Sequence, residues 1–391
     1  MTKLEELKLE LQRRNLRYVG TRGDVRAPFV MVGEAPGADE DQAGVPFVGG
    51  AGKELDRMLS DAGVPSHLCW FTNPYKTRPP DNKLDRLHEL GVDEKMFIDQ
   101  FLEELTLNKP TFIVALGATP LGILCPFTRS VKKPYRAEIS KYQGSLLTSP
   151  LLPWEHYVIP AYHPAYILRS WSDRVESVLC LAKAAEEHVY WRQHGTLQPL
   201  PTRKLIDSPT YDEAYEFLTM CLATPESQRI SIDIENIGVF KGKYKTPQRN
   251  RLPYVVGFAP SPWLAMSVGL SEYEQNQTTE LWRLIDAILC SKRQIGQNYY
   301  THDAPWLRYI GFNPDIRLVS DTLVRHHVLW PELSHKLEFQ TMQYTREPYY
   351  KNEGHNWSVK EKAKLKRYNC KDCCVTYEVW EKQEEEFNER A

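Results

Sequence analysis

The 391-residue sequence contains no uninterrupted apolar run of 18 residues, so no helical membrane span is expected. It carries no basic excess. The 49 Lys and Arg face 51 Asp and Glu, a net charge of −2, so any hold on nucleic acid has to come from a local positive field. No Gly-Lys-Ser/Thr closes a phosphate loop, no internal repeat is visible, and the 27 prolines and 10 tryptophans never cluster into low-complexity sequence. The opening MTKLEELKLELQRRN reads as a charged amphipathic helix and lacks the apolar core of a secretory signal. Cysteine is sparse and scattered: Cys69, Cys125, Cys180, Cys221, Cys290, Cys370, Cys373 and Cys374. That scatter suits reduced, mostly buried thiols and a cytoplasmic setting. Only Cys370, Cys373 and Cys374 lie close together. Packed thiols are the favoured reading there. Half a zinc site is the alternative, with no second Cys or His pair at finger spacing to complete it.

What is present divides in two. The first half alternates strand and helix patterns: strands at Phe29–Val32, Leu68–Thr72, Phe112–Leu116 and Tyr157–Pro160, with helices near Lys53–Ala62, Asp93–Leu105 and Ser172–Gln193. Such alternation implies an α/β unit with a mainly parallel sheet and ligands at the carboxyl ends of its strands. The Gly- and Pro-punctuated stretch His194–Lys204 reads as a linker, separating a domain over 1–193 from one over 205–391. The second half restarts with a helix near Tyr211–Ala223 and a strand Arg229–Ile234. A hairpin of Tyr254–Phe258 and Leu264–Val268 about Pro260-Ser261-Pro262 follows. A helix near Thr279–Cys290, a short strand near Gln294 and further helices complete an α/β sheet with early antiparallel strands.

In the second half, Asp233-Ile234-Glu235 puts two carboxylates on one side of a strand and Ile234 on the other, toward the core. Converging carboxylates repel unless a hard cation lies between them, which suits Mg²⁺ or Mn²⁺; solvated strand edges produce the same pattern without a metal. Asn298 and Asp303 follow, and later Tyr368 and Asp372, four apart on one face of a helix. In this order the motifs resemble proofreading 3′–5′ exonuclease domains of the DEDD class, of the subtype with tyrosine in the third motif. Asp321-Thr322-Leu323 and Leu333-Ser334-His335-Lys336-Leu337 are similar to the exonuclease domain of bacterial and phage family A DNA polymerases. The resemblance covers Leu205 onward. It implies an RNase H-like fold, two metal ions held by Asp233, Glu235, Asp303 and Asp372, a water oriented by Tyr368, and Asn298 on the substrate. Four residues separate Asn298 from Asp303 where that family has three, so Asp303 or His302 would face the metals, Asp303 being favoured.

In the first half, three loops follow strands and can meet in one crevice. They are Val32-Gly33-Glu34-Ala35-Pro36-Gly37 running on through Glu40 to Pro46-Phe47-Val48-Gly49, Asn73 to Pro80, and Tyr162-His163-Pro164-Ala165-Tyr166-Ile167-Leu168-Arg169. They bring an acid, an aromatic ring, an amide and a histidine, which suit a pocket for a flipped base. Together they resemble the family-four uracil-DNA glycosylases and their neighbours, over Pro28 to His188. That resemblance implies that Phe47 stacks on uracil, Asn73 reads its amide edge and His163 donates to its carbonyl. Glu34 would position water or stabilise the sugar cation, and Glu40 would lie where thymine carries its methyl. Gly33 and Ala35 would line the base, and Leu168 and Arg169 would wedge the duplex. One departure concerns the four cysteines that hold an iron–sulfur cluster in that family. Thr77 stands at one of those positions and Met1–Pro28 has none, so no cluster is expected.

The sequence therefore reads as two α/β domains acting on DNA: an excision of uracil, and a metal-dependent removal of 3′-terminal nucleotides from single strands. Two alternatives stay open. The first domain could be a non-catalytic DNA-binding module. The chain could also be the front part, or a partner, of a family A polymerase.

Overall fold

Phe29–Val32 and Phe112–Leu116 are apolar throughout, and every one of these residues is buried. Runs of this kind belong to parallel strands covered on both faces. The computed structural model describes residues 2–130, 133–236, 252–354 and 362–390. The chain divides into two compact units, Met1–Pro199 and Leu200–Ala391. Among the described residues no helix is long and apolar enough to cross a membrane.

The first unit runs α1 (Lys3–Arg13), β1 (Arg22–Gly23), β2 (Phe29–Val32), α2 (Ala38–Ala43), α3 (Gly50–Asp61), β3 (Cys69–Thr72), α4 (Glu94–Asn108) and β4 (Phe112–Leu116). It continues with α5 (Ala118–Leu124), β5 (Arg129–Ser130), β6 (Lys133–Ala137), α6 (Ile139–Tyr142), β7 (Tyr157–Ala161), α7 (Pro164–Ile167) and α8 (Arg174–His194). Its five-stranded sheet has the order β1-β3-β2-β4-β7. The four long strands are parallel; the two-residue β1, too short to carry a sequence period, pairs antiparallel at the edge. The parallel register sets Val32 beside Thr72 and Ala115, so the loops after β2, β3 and β4 leave side by side. Thr2 caps α1 and Glu5 closes the capping box, while Leu7 and Leu11 are the face it buries.

The second unit runs β8 (Lys204–Ile206), α9 (Tyr211–Ala223), β9 (Ile230–Asn236), β10 (Pro253–Ser261), β11 (Leu264–Gly269), α10 (Gln275–Ser291) and β12 (Gln294–Gly296). After these come α11 (Asp303–Tyr309), β13 (Val319–Asp321), α12 (Thr322–Leu329), α13 (Leu337–Tyr344) and α14 (Lys362–Arg390). Its six strands are ordered β13-β12-β9-β10-β11-β8. β9, β10 and β11 form an antiparallel meander, as the hairpin reading has it, while β12, β13 and β8 join in parallel. β8 begins at Lys204, the last residue of the expected linker, and α8 ends at His194, its first.

Alternation along β9 decides the second unit's layout. Ile230, Ile232 and Ile234 enter the core formed with α9 and α10. Asp233 and Glu235 therefore point to the opposite face, which α14 covers. Gly257 lies opposite Asp233 in β10. A Cβ there would come within 2.4 Å of Asn369 Oδ1 and 2.6 Å of Cys373 Sγ, so this glycine lets α14 close onto the sheet. Cys370, Cys373 and Cys374 pack with Ala259 and Ala265 in that interface, in keeping with packed thiols.

Candidate active sites

The three loops of the first unit, with the β4–α5 turn, line one cavity of about 750 Å³ that includes Glu34, Ala35, Glu40, Phe47, Asn73, His163 and Arg169. Gly33 shapes its floor. A Cβ at this position would lie 2.4 Å from Asn73 Oδ1 and 2.6 Å from Phe47 Cζ. Only glycine lets the amide and the ring approach so closely. Phe47 takes the left-handed region, φ +58, which a bulky side chain adopts only under constraint. Two features hold it there. Arg22 Nη1 donates to its carbonyl at 3.1 Å, and Gly52 leaves room for that oxygen, which would lie 1.9 Å from a Cβ. The ring ends 6.3 Å from the His163 ring, with 25° between their planes.

His163 caps α7, and its Nδ1 accepts the Ala165 N–H at 3.1 Å. A backbone amide can only donate, so the neutral ring carries its hydrogen on Nε2. Burial first, and then the Arg169 charge, lower the ring's pKa from 6.5 to about 4. Glu34 accepts a hydrogen bond from the Thr119 hydroxyl at Oε2. Asn73 is 5% exposed, and its side-chain amide makes no hydrogen bond among the described residues. Glu40 is committed to backbone: its carboxylate accepts from Gly37 N at 3.1 Å and Gly49 N at 2.9 Å, clasping the two ends of the loop that carries Phe47. Leu168 is half exposed, beside the Arg169 that lines the cavity.

The uracil-DNA glycosylase superfamily model matches residues 21–192. The type-4 uracil-DNA glycosylase of Thermotoga maritima is 34% identical over 173 residues, 44% of this chain and 81% of that protein. This chain belongs to the uracil-DNA glycosylase superfamily. The type-4 enzyme of Archaeoglobus fulgidus is 35% identical over 41% of this chain and 77% of its own length. That of Pyrobaculum aerophilum is 32% identical over 43% and 85%. The residues matched by the superfamily model lie within the first unit. An iron–sulfur cluster does not fit this superfamily member. Its first-unit cysteines lie apart, Cys69 in β3, Cys125 after α5 and Cys180 within α8. Burial pushes the Cys69 and Cys125 thiols up to about 12. Among the described residues no group of cysteines is placed to hold a metal.

The second unit gathers Asp233, Glu235 and Asp372, each offering an oxygen within 4.8 Å of the others. Burial, then the Glu235 charge, hold the Asp233 carboxyl far above its usual range; burial, then Asp372, push Glu235 up to about 8. Asn369, from α14, donates to Asp233 Oδ2 at 2.8 Å and is itself oriented by the Ser267 hydroxyl at 2.7 Å. Lys351 Nζ donates to Tyr368 Oη at 2.9 Å and to Asp372 Oδ2 at 2.6 Å. Asp372 Oδ1 is buried and has no hydrogen-bond partner among the described residues. Three converging carboxylates, Asp372 buried and Asp233 and Glu235 partly so, are the kind of donor set that a hard divalent cation takes, and their oxygens suit Mg²⁺ or Mn²⁺.

Asp303 stands outside this group of three. Its Oδ1 accepts the Ile234 N–H at 3.1 Å, and His302 Nδ1 is 3.5 Å from Oδ2. Asn298 is exposed at φ +58, and its side chain accepts from the Thr301 hydroxyl. The same loop is held instead by Asp321, which accepts from Asn298 N at 2.9 Å and Tyr299 N at 2.8 Å. Thr119, Lys351 and Asn369 were not singled out from sequence. Asn369 at least adjoins Tyr368 in α14; nothing local marks the other two.

Proposed function

We propose that the first unit excises uracil from DNA. The observation that carries this reading is the fixed proton on His163 Nε2, facing a cavity shared with Phe47, Asn73 and Glu34. With a flipped base stacked on Phe47, the Asn73 amide pairs with its edge, a match that costs a few kcal/mol of unstacking to reach. The bond from the sugar C1′ to the base N1 then breaks, and both electrons leave with the base. Nε2–H donates to the carbonyl oxygen on which that charge collects, a contribution worth about 10²–10³ in rate for one such donor. The Glu34 carboxylate faces the sugar cation and takes the proton of the water that adds at C1′. The uracil anion takes up a proton from solvent and Glu34 gives its proton back to solvent, which leaves uracil and an abasic site. That the related proteins are type-4 uracil-DNA glycosylases supports the same substrate. A 5′-labelled strand with one uracil, held in EDTA and then treated with alkali, tests this: cleavage at the uracil is expected, and an intact strand would refute it.

A second reading concerns the second unit, and one observation favours it: the convergence of Asp233 and Glu235 with the buried Asp372, whose Oδ1 has no partner among the described residues. We propose an RNase H-like 3′–5′ exonuclease there, with Asp233, Glu235 and Asp372 holding divalent ions and Asp303 supporting them. When bound, such ions polarise the scissile phosphate and lower the pKa of an attached water. The chain's own part is to hold the carboxylates converged and to keep Tyr368 beside them. Metal-dependent shortening of a plain strand from its 3′ end is the expected result. No shortening in Mg²⁺ or Mn²⁺ removes this reading, and with it the case for a polymerase partner.

A further inference from the structure

Two of the groups proposed to act on uracil-DNA come from loops after β2 and β7, two strands that are not neighbours; β4 lies between them. The turn that leaves β4, Gly117-Ala118-Thr119, reaches both groups. On one side the buried Thr119, 7% exposed, gives its hydroxyl hydrogen to Glu34 Oε2. On the other side, a Cβ on Gly117 would lie 3.3 Å from His163 Cβ, closer than most side chains tolerate. Gly117 has φ +104, a conformation that glycine alone enters freely. Its N–H donates to Ala161 O at 2.9 Å, which ties the turn to the end of β7, two residues before His163. Glu34 is also held through its own backbone, where Tyr75 N donates to its carbonyl at 3.3 Å. Main chain therefore fixes where Glu34 stands. The Thr119 hydroxyl is the side-chain group that fixes where its carboxylate points.

We propose that Thr119 is the positioning residue for Glu34 in uracil excision, and that the β4–α5 turn spaces Glu34 from His163. This rests on the uracil-excision reading. A carboxylate that accepts a hydroxyl hydrogen bond loses torsional freedom, and the oxygen left unbonded is presented to the cavity. Without the hydroxyl the carboxylate can rotate, and the fraction of molecules with Glu34 aimed at the sugar falls. Gly117 and Ala118 line the cavity and Thr119 does not, so its hydroxyl is expected to act on the rate and not on substrate affinity.

The test uses the full chain and single-turnover release of uracil from a single-stranded oligonucleotide. Thr119→Val keeps the volume and removes the donor. Its rate constant is expected to fall about 10- to 100-fold at unchanged half-saturation. Thr119→Ser restores the donor and is expected to recover most of the rate. In a Glu34→Gln background, Thr119→Val is expected to cost nothing further. Should Thr119→Val not fold, Thr119→Ala carries the same comparison. Wild-type rates in Thr119→Val overturn the proposal. So does an equal loss in Thr119→Ser, or a loss that persists in the Glu34→Gln background. If the unaltered chain releases no uracil, the excision reading itself falls and this proposal falls with it.

Discussion

The two units solve the problem of a buried polar site in opposite ways. In the first, the two acids and the histidine are satisfied by the chain or kept neutral, and the neutral Asn73 amide is left open to the cavity. His163 spends one nitrogen on a backbone amide, Glu40 spends its carboxylate on two, and Glu34 takes a hydroxyl. In the second, three acids converge with Lys351 and Asn369 as their partners, and among the described residues one Asp372 oxygen stays without a hydrogen bond. The cost of burying a charge is met inside the first site and only partly met inside the second. A site of the first kind is finished when it folds. On the proposed reading, a site of the second kind is finished only when a cation arrives.

The sharpest break between the two comes from Asp233→Asn. It should abolish metal-dependent shortening of a 3′ end and leave uracil release untouched, both assayed on one labelled strand. Loss of both would mean that the sites are not independent. Next, His163→Ala should lower uracil release about 10²–10³-fold and leave shortening unchanged. The pH behaviour of the wild type follows from the same ring. Its pKa is lowered to about 4, so the neutral donor persists well below the 6.5 of a free histidine. The unfolded chain takes up this proton first, so the ring's contribution to stability is complete above 6.5 and is lost as pH falls toward 4. An activity limb at 6.5 that vanishes in His163→Gln would contradict that. A smaller effect concerns metal addition. Mn²⁺ at a hundred times its dissociation constant should stabilise the second unit by about 2.7 kcal/mol and move only that unit's unfolding transition. Smallest, Glu40→Ala opens the clasp around the Phe47 loop and should cost the first unit about 1–3 kcal/mol, read by thermal melting in EDTA.

How much of this was legible in the sequence depends on how local each signal is. The strands Phe29–Val32 and Phe112–Leu116 fall where the apolar runs put them, because burial on both faces leaves an unbroken pattern. The Asp233-Ile234-Glu235 alternation likewise survives intact, since strand geometry alone separates its two faces. β1 and β8 were missed because two or three residues carry no period, and their pairing is decided by strands distant in the chain. The same holds at the sites. Glu34, Phe47, Asn73 and His163 stand in dense Gly/Pro loops that announce themselves. Thr119 reaches Glu34 across 85 residues of chain, and Lys351 reaches Asp372 across 21, by pairings that no local pattern encodes. Glu40 was expected on the base and lines the cavity, but its oxygens are taken by loop amides, a partition visible only once the loop closes.

The amide of Ala165 writes one further property into the first site. Because that N–H cannot reverse its role, the two nitrogens of His163 are chemically distinct before any DNA arrives. Nitrogen-15 spectra of imidazole separate a bare ring nitrogen from a protonated one by a wide margin. The readiness of this pocket is therefore a resonance that can be watched in solution, in a chain that has never met its substrate.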